Sequence, residues 1–200
     1  MTRCFLPSLI ALLFFGSAHS APKAKTPTWT DPEKAVVHPD FLTQGEYLGK
    51  RGERASWFQV ATLDGGKFHV LEYRGGAPGK GWSGEAIEAS LLDRAELDKL
   101  LKSVDGHRVA QKSATLGKKA PSNAIVFFDG KKTDKMKGVV ENGVIWSGAE
   151  TTVPIGDFHL HVEFRLPYKP GRNLSNQDRG NSGLYIFNNY EVAVPPILVA

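Results

Sequence analysis

Between Phe158 and Leu166 the chain alternates strictly. Phe158, Leu160, Val162, Phe164 and Leu166 fall on one side, and His159, His161, Glu163 and Arg165 on the other. In an extended strand, successive side chains point to opposite faces, so this segment reads as a strand with one apolar and one polar face. The polar face sets two imidazoles, a carboxylate and a guanidinium in a row, which are groups able to move a proton and stabilise charge. His159, His161 and Glu163 at i, i+2 and i+4 also suit a divalent cation, because all three project from one face. The same row equally describes a solvent-facing strand with complementary charges. A second constellation, Arg179-Gly180-Asn181-Ser182-Gly183-Leu184-Tyr185, sets two short polar residues between glycines just before a strand. There a ligand can approach the backbone and Asn181 can orient a sugar hydroxyl, or the stretch is a plain turn with Asn at positive φ.

The elements that must position these groups are mostly short strands. Trp57–Ala61 and Lys67–Tyr73 flank Leu63-Asp64-Gly65-Gly66, and Val139–Glu141 and Val144–Trp146 flank Asn142-Gly143. Asp-Gly and Asn-Gly between apolar-rich runs are hairpin signals. Ala124–Phe128, Leu184–Phe187 and Tyr190–Val192 are further strand candidates. One helix is expected over 91–104, capped by Asp93 with Glu96 three residues on. Its apolar face is Leu97, Leu100, Leu101 and Val104, and Gly106 stops it. The glycine-rich run 75–84 lacks the spacing and the Lys-Ser/Thr of a phosphate-binding loop, so it reads as structural. Residues 21–39 and 113–123 have no sustained period and read as linkers.

The 200 residues carry 25 Lys+Arg against 21 Asp+Glu, a net charge of +4, with 21 Gly and 12 Pro. This is globular composition and excludes an acidic disordered chain, a collagen, a coiled coil and a multi-span membrane protein. The basic pairs Lys118-Lys119 and Lys131-Lys132 are isolated, not the patterned face that nucleic acid requires. Residues 1–20 read as a secretory signal: Arg3, then the apolar run Leu9–Phe15, then small residues with Ala18 and Ser20 placed for cleavage after Ser20. The run is far shorter than the ~20 apolar residues of a membrane span. The only cysteine, Cys4, lies in this leader. The mature chain is therefore expected in the periplasm or outside the cell, with no disulfide, no Cys nucleophile and no integral membrane span.

Three ordered motifs resemble one known family. They are Ile125-Val126-Phe127-Phe128-Asp129-Gly130, then Gly156-Asp157 through Glu163-Phe164-Arg165, then Gly180-Asn181-Ser182-Gly183-Leu184-Tyr185 with Tyr190-Glu191-Val192. Together they are similar to the 3-keto-disaccharide hydrolase domain family, and the resemblance covers about 124–192. The stretch from Gln44 to Gly117 looks like the N-terminal extension of exported members. The resemblance implies a concanavalin A-like jelly roll and the cleavage of glycosides oxidised at C3. Within it, Glu163 and Glu191 are the acid/base carboxylates, and Arg165 and Asn181 stabilise charge or orient the sugar. Ser182 and Tyr185 would also contact the carbohydrate. His161 would assist or hold a divalent metal cation, and no other cofactor is implied.

The chain departs from that pattern after Val192, where it reads Ala193-Val194-Pro195-Pro196-Ile197-Leu198-Val199-Ala200. A jelly roll needs two full sheets, and the strand candidates here amount to about half of them. The expectation is thus a mainly β chain: a signal peptide at 1–20, a linker at 21–39, a small α+β domain at 40–112, a linker at 113–123, and a truncated β-sandwich at 124–200 that is inactive alone. The alternative is a non-catalytic carbohydrate-binding sandwich with Trp146 and Tyr185 as stacking platforms, because fold does not fix function.

Overall fold

The computed structural model describes residues 27–194 except Lys112 and Lys132. The expected leader at 1–20 and the residues from Pro195 onward lie outside the described residues. The described chain is mainly β, with antiparallel sheets that do not close. In chain order its elements are α1 (Pro32–Ala35), β1 (Gly45–Arg51), β2 (Arg54–Leu63), β3 (Lys67–Arg74), β4 (Glu88–Asp93), α2 (Arg94–Ser103) and β5 (His107–Val109). Then come β6 (Met136–Lys137), β7 (Val140–Glu141), β8 (Val144–Ile145), β9 (Glu150–Thr151), β10 (Ser182–Ile186) and β11 (Tyr190–Val194). Among the described residues no helix is long and apolar enough to cross a membrane.

β1 to β5 form one antiparallel sheet in the order β4-β3-β2-β1-β5. The β2–β3 turn closes at Asp64–Gly66, where Gly65 and Gly66 take φ of 69° and 68°, values glycine adopts without steric cost. One face buries Tyr47, Phe58, Val60, Phe68 and Val70 against Leu97 of α2 and Val104 at its C-cap. Each such fully buried apolar side chain contributes about 1.5–3 kcal/mol. The helix begins as the spacing predicts. Asp93 accepts from the Glu96 N–H at 2.9 Å, and Glu96 accepts from the Asp93 N–H at 2.8 Å. It is shorter than expected, because 88–93 pair with β3 as a strand. Its stop also differs from the expectation: Asp105, not Gly106, takes the left-handed conformation at φ 49°. The Gly106 N–H then reaches back to the Leu101 carbonyl at 2.7 Å, satisfying an orphan carbonyl of the last turn. Gly49 lets the helix end dock on β1, since a Cβ there would stand 2.7 Å from the Val104 carbonyl oxygen.

The opposite face is covered by the glycine-rich run. Trp57, Tyr73 and Ala77 are buried together, with Leu48, Leu71 and Trp82 packed on them. Trp82 meets Tyr73 edge-on at 5.7 Å. Backbone passes backbone closely at Gly75, Gly76 and Gly81, where a Cβ would overlap a carbonyl oxygen of the facing loop segment. The run is therefore a lid on the second face of the sheet.

Beyond Gln111 the ladders among the described residues are small: β6–β9, β7–β8 and β10–β11. The Asn142-Gly143 turn forms as read, with both residues at positive φ, 50° and 73°. Two expectations are corrected. Residues 158–166 join no ladder, and Phe158, Leu160, Val162 and Phe164 are 42–50% exposed. Residues 124–128 likewise form no strand. Alternation creates a strand only where a neighbour takes its backbone hydrogen bonds and a second layer covers its apolar side, and here the described residues supply neither. The linker reading of 21–39 is also corrected in its described part. Ala35 is fully buried, and Trp29 exchanges two backbone hydrogen bonds with Tyr168, at 3.0 and 2.8 Å.

Candidate functional site

The expected site residues fall into two groups. In the first, Glu163 accepts a hydrogen bond from the Gly117 backbone N–H at 2.6 Å, and His161 Nε2 lies 3.1 Å from the same Oε1. The Gly117 N–H, and after it His161, hold the Glu163 carboxyl below the usual carboxylate range. Glu163 is thus an ionised, partly exposed carboxylate with one fixed donor and one imidazole, an arrangement that suits a base more than an acid. A divalent cation here would find His161 and Glu163 as two ligands. Among the described residues no group of three or more His, Cys, Asp or Glu side chains comes together, so the expected His159-His161-Glu163 triplet does not form.

The second group lies on the β10–β11 ladder. The register pairs Tyr185 with Glu191 and Gly183 with Ala193, so Gly183, Tyr185 and Glu191 share one face. The Glu191 carboxylate lies over Gly183, where a Cβ would overlap it. The same carboxylate favours the protonated phenol and raises the pKa of Tyr185 above the usual tyrosine value. Tyr185 is 63% exposed, so its ring face is open. Ser182 opens β10, and Asn181 donates its backbone N–H to the Gln177 carbonyl at 2.8 Å with its side chain exposed. Asn181 is not at positive φ; the positive-φ residues nearby are Phe187 and Asn188, at 53° and 57° in the β10–β11 turn.

Among the described residues, no hydrogen bond or ion pair joins Glu163 to Glu191, and Arg165 makes none with either. The shared polar strand face that would have aligned His161, Glu163 and Arg165 is replaced by a local His161–Glu163 contact. Sequence reasoning missed the Gly117 N–H, because it lies in a stretch without periodicity. It also missed Glu72, which is 4% exposed on the helix-covered face of β3. Burial raises the Glu72 pKa, and the two-pronged Arg51 contact at 2.9 and 3.2 Å, together with the nearby Ser56 hydroxyl and the Arg74 charge, more than reverses this, leaving the carboxyl below its ordinary value. Arg51, Glu72, Glu88, Ser90, Lys99 and Leu100 line an open cleft of about 300 Å3 between α2 and the sheet. None of the expected site residues lies in it.

No family model matches this chain, and neither a curated protein nor a solved structure does.

Proposed function

We propose that residues 124–192 carry the reactive groups of an exported, carbohydrate-acting hydrolase of the 3-keto-glycoside type, derived from a concanavalin A-like jelly roll. The reading rests on the family resemblance of the three motifs. The single structural observation that supports it is the ionised Glu163, held by the Gly117 N–H and His161. A ketone at C3 acidifies the hydrogen at C2. Glu163 removes that proton, and the electron pair is held as an enolate on the C3 oxygen. The enolate then expels the C1 substituent: the C1–O bond breaks, a C1=C2 double bond forms, and the leaving oxygen takes a proton. Water adds to C1 with a proton returned to C2, which completes hydrolysis. Arg165 or Asn181 would stabilise the enolate, and Glu191 or the neutral Tyr185 phenol beside it would supply the leaving-group proton.

The first step needs only the base, whereas cleavage needs both groups on one sugar. Glu163 and Glu191 are unconnected among the described residues. The expected outcome is therefore enhanced C2 proton exchange with little net cleavage. The full chain would be incubated with a 3-keto-glucoside in D2O and loss of the C2 proton signal followed by NMR. Exchange above the buffer rate that disappears in Glu163→Gln supports the proposal. Exchange at the buffer rate, or exchange unchanged by Glu163→Gln, overturns it. Export follows from the leader-like residues 1–20 and is tested by fractionating cells that express the full chain; retention of the uncleaved chain in the cytoplasm contradicts it.

The exposed Tyr185 ring beside Glu191 and Gly183 favours a second reading, a carbohydrate-binding face that holds sugars by stacking on the ring. Sugar-dependent shifts of the Tyr185 ring signals without any C2 exchange would select it over the hydrolase.

A further inference from the structure

Arg179 is the only buried basic side chain among the described residues, at 9% exposure. It has no carboxylate partner there. Its Nη1 donates to the carbonyls of Lys169, Pro170 and Arg172 at 3.1, 3.3 and 2.7 Å, and its Nη2 to the carbonyl of Thr62 at 2.6 Å. Three of these acceptors belong to its own loop, and the fourth is the fully buried Thr62 near the end of β2. A planar guanidinium with five donors can span such a set, whereas an ammonium presents its three donors from one point.

The start of the same loop is anchored separately. Tyr168 is buried among Trp29, His38 and Phe41, with ring centroids 5.5, 5.2 and 5.0 Å away. Its hydroxyl lies 3.0 Å from His38 Nδ1. On the outside, Asp178 closes the loop through Lys169 and Arg172, at 2.9 and 2.7 Å. Directly after Arg179 the Gly180 and Asn181 N–H groups both return to the Gln177 carbonyl, at 3.2 and 2.8 Å, and Ser182 begins β10. One residue therefore separates the buried cation from Asn181.

We propose that Arg179 is a positioning residue: its guanidinium clamps the 168–180 loop to the end of β2, so that the N-terminal sheet sets where the Asn181–Ser182 turn and the Tyr185–Glu191 face stand. On this reading the sheet of β1 to β5 supports the site, although it contributes no group to the chemistry. The clamp stands on its own geometry; its bearing on sugar recognition rests on the function proposed above.

The test uses the full chain as wild type, Arg179→Gln and Arg179→Lys, with hydrogen exchange followed by mass spectrometry. Losing a charged hydrogen-bond set should raise exchange of peptides from 168–186 by about tenfold or more in both variants, with 54–74 unchanged. Unchanged protection of 168–186 in Arg179→Gln overturns the clamp. So does an equal loss across 54–74, because it would make Arg179 a general fold residue. A second readout is electrostatic. His69 is held below the usual histidine range by burial and, after that, by the Arg179 charge. Its NMR titration should move to higher pH in Arg179→Gln, and an unmoved titration contradicts the placement of the cation. A third readout is the shift of the Tyr185 ring signals on adding a 3-keto-glucoside, which should weaken in both variants. Absence of any sugar response in the wild type would fail the functional reading, while the exchange and titration readouts still decide the clamp.

Discussion

Two regions of this chain carry the same kind of pattern and meet different fates. In β2 and β3, alternate apolar residues are buried: Phe58, Val60, Phe68 and Val70 lie under α2 and are at most 2% exposed. In 158–164, alternate apolar residues of similar size stand 42–50% exposed. The difference lies in what surrounds each pattern. β2 has strands on both sides, a helix on one face and a glycine-rich lid on the other. Residues 158–166 have no ladder partner and no covering layer among the described residues. Alternation specifies which side should be buried; only a neighbour and a second layer bury it.

The largest expected contrast follows directly. Phe58→Ala should cost the sheet unit about 3–5 kcal/mol, the usual range for truncating a fully buried phenylalanine. Phe164→Ala should stay within about 0.5 kcal/mol, as for an exposed site. Urea unfolding of the two variants checks this, and equal costs would break the comparison.

The next effect concerns the buried carboxylate of the packed region. Glu72→Gln leaves Arg51 without its ionic partner and should destabilise by about 1–3 kcal/mol, less than a fully buried pair because Arg51 is half-exposed. The sign with pH is fixed by the direction of the shift. Because the folded-state pKa lies below the ordinary value, the contribution is fully present above the unfolded carboxylate pKa. It is lost as pH falls through the lower, folded value. Unfolding midpoints compared from pH 7 to below 4 should therefore converge for wild type and Glu72→Gln in acid. A gap that persists there would mean that packing rather than charge carries the Glu72 contribution.

The smallest effect is in the open region. Glu163 owes its low pKa first to the Gly117 N–H and only second to His161. His161→Ala should raise the Glu163 pKa and still leave it below the ordinary glutamate value, read by NMR of the Glu163 side-chain carboxyl carbon. A return to the ordinary glutamate value would make the imidazole the main support instead.

The parts of the fold legible in the sequence are those controlled locally. The Asp64–Gly66 and Asn142-Gly143 turns announce themselves through residues that tolerate positive φ, and α2 through the reciprocal Asp93–Glu96 cap and its leucine face. What was not legible depends on distant partners. The glycine-rich run could be read as structural but not as a cover for Trp57 and Tyr73. Trp29 gave no periodic signal, although it pairs with Tyr168 across the chain. Glu72 had a signal, since it falls on the Phe68-Val70 side of an alternating strand, where an acid must be paired. In the candidate site, Glu163 and its contact with His161 follow from i, i+2 spacing, whereas the Gly117 N–H comes from 46 residues earlier. The Tyr185–Glu191 pairing depends on the β10–β11 register, which the turn at 187–189 determines.

One region is packed and the other is open, with Glu163 in a segment that joins no ladder among the described residues. Native-state hydrogen exchange on the full chain tests this contrast most directly. Strong protection of amides in 54–74 and exchange near the unprotected rate in 158–166 are expected. Cooperative protection of 158–166, matching that of β2 and β3, would contradict it.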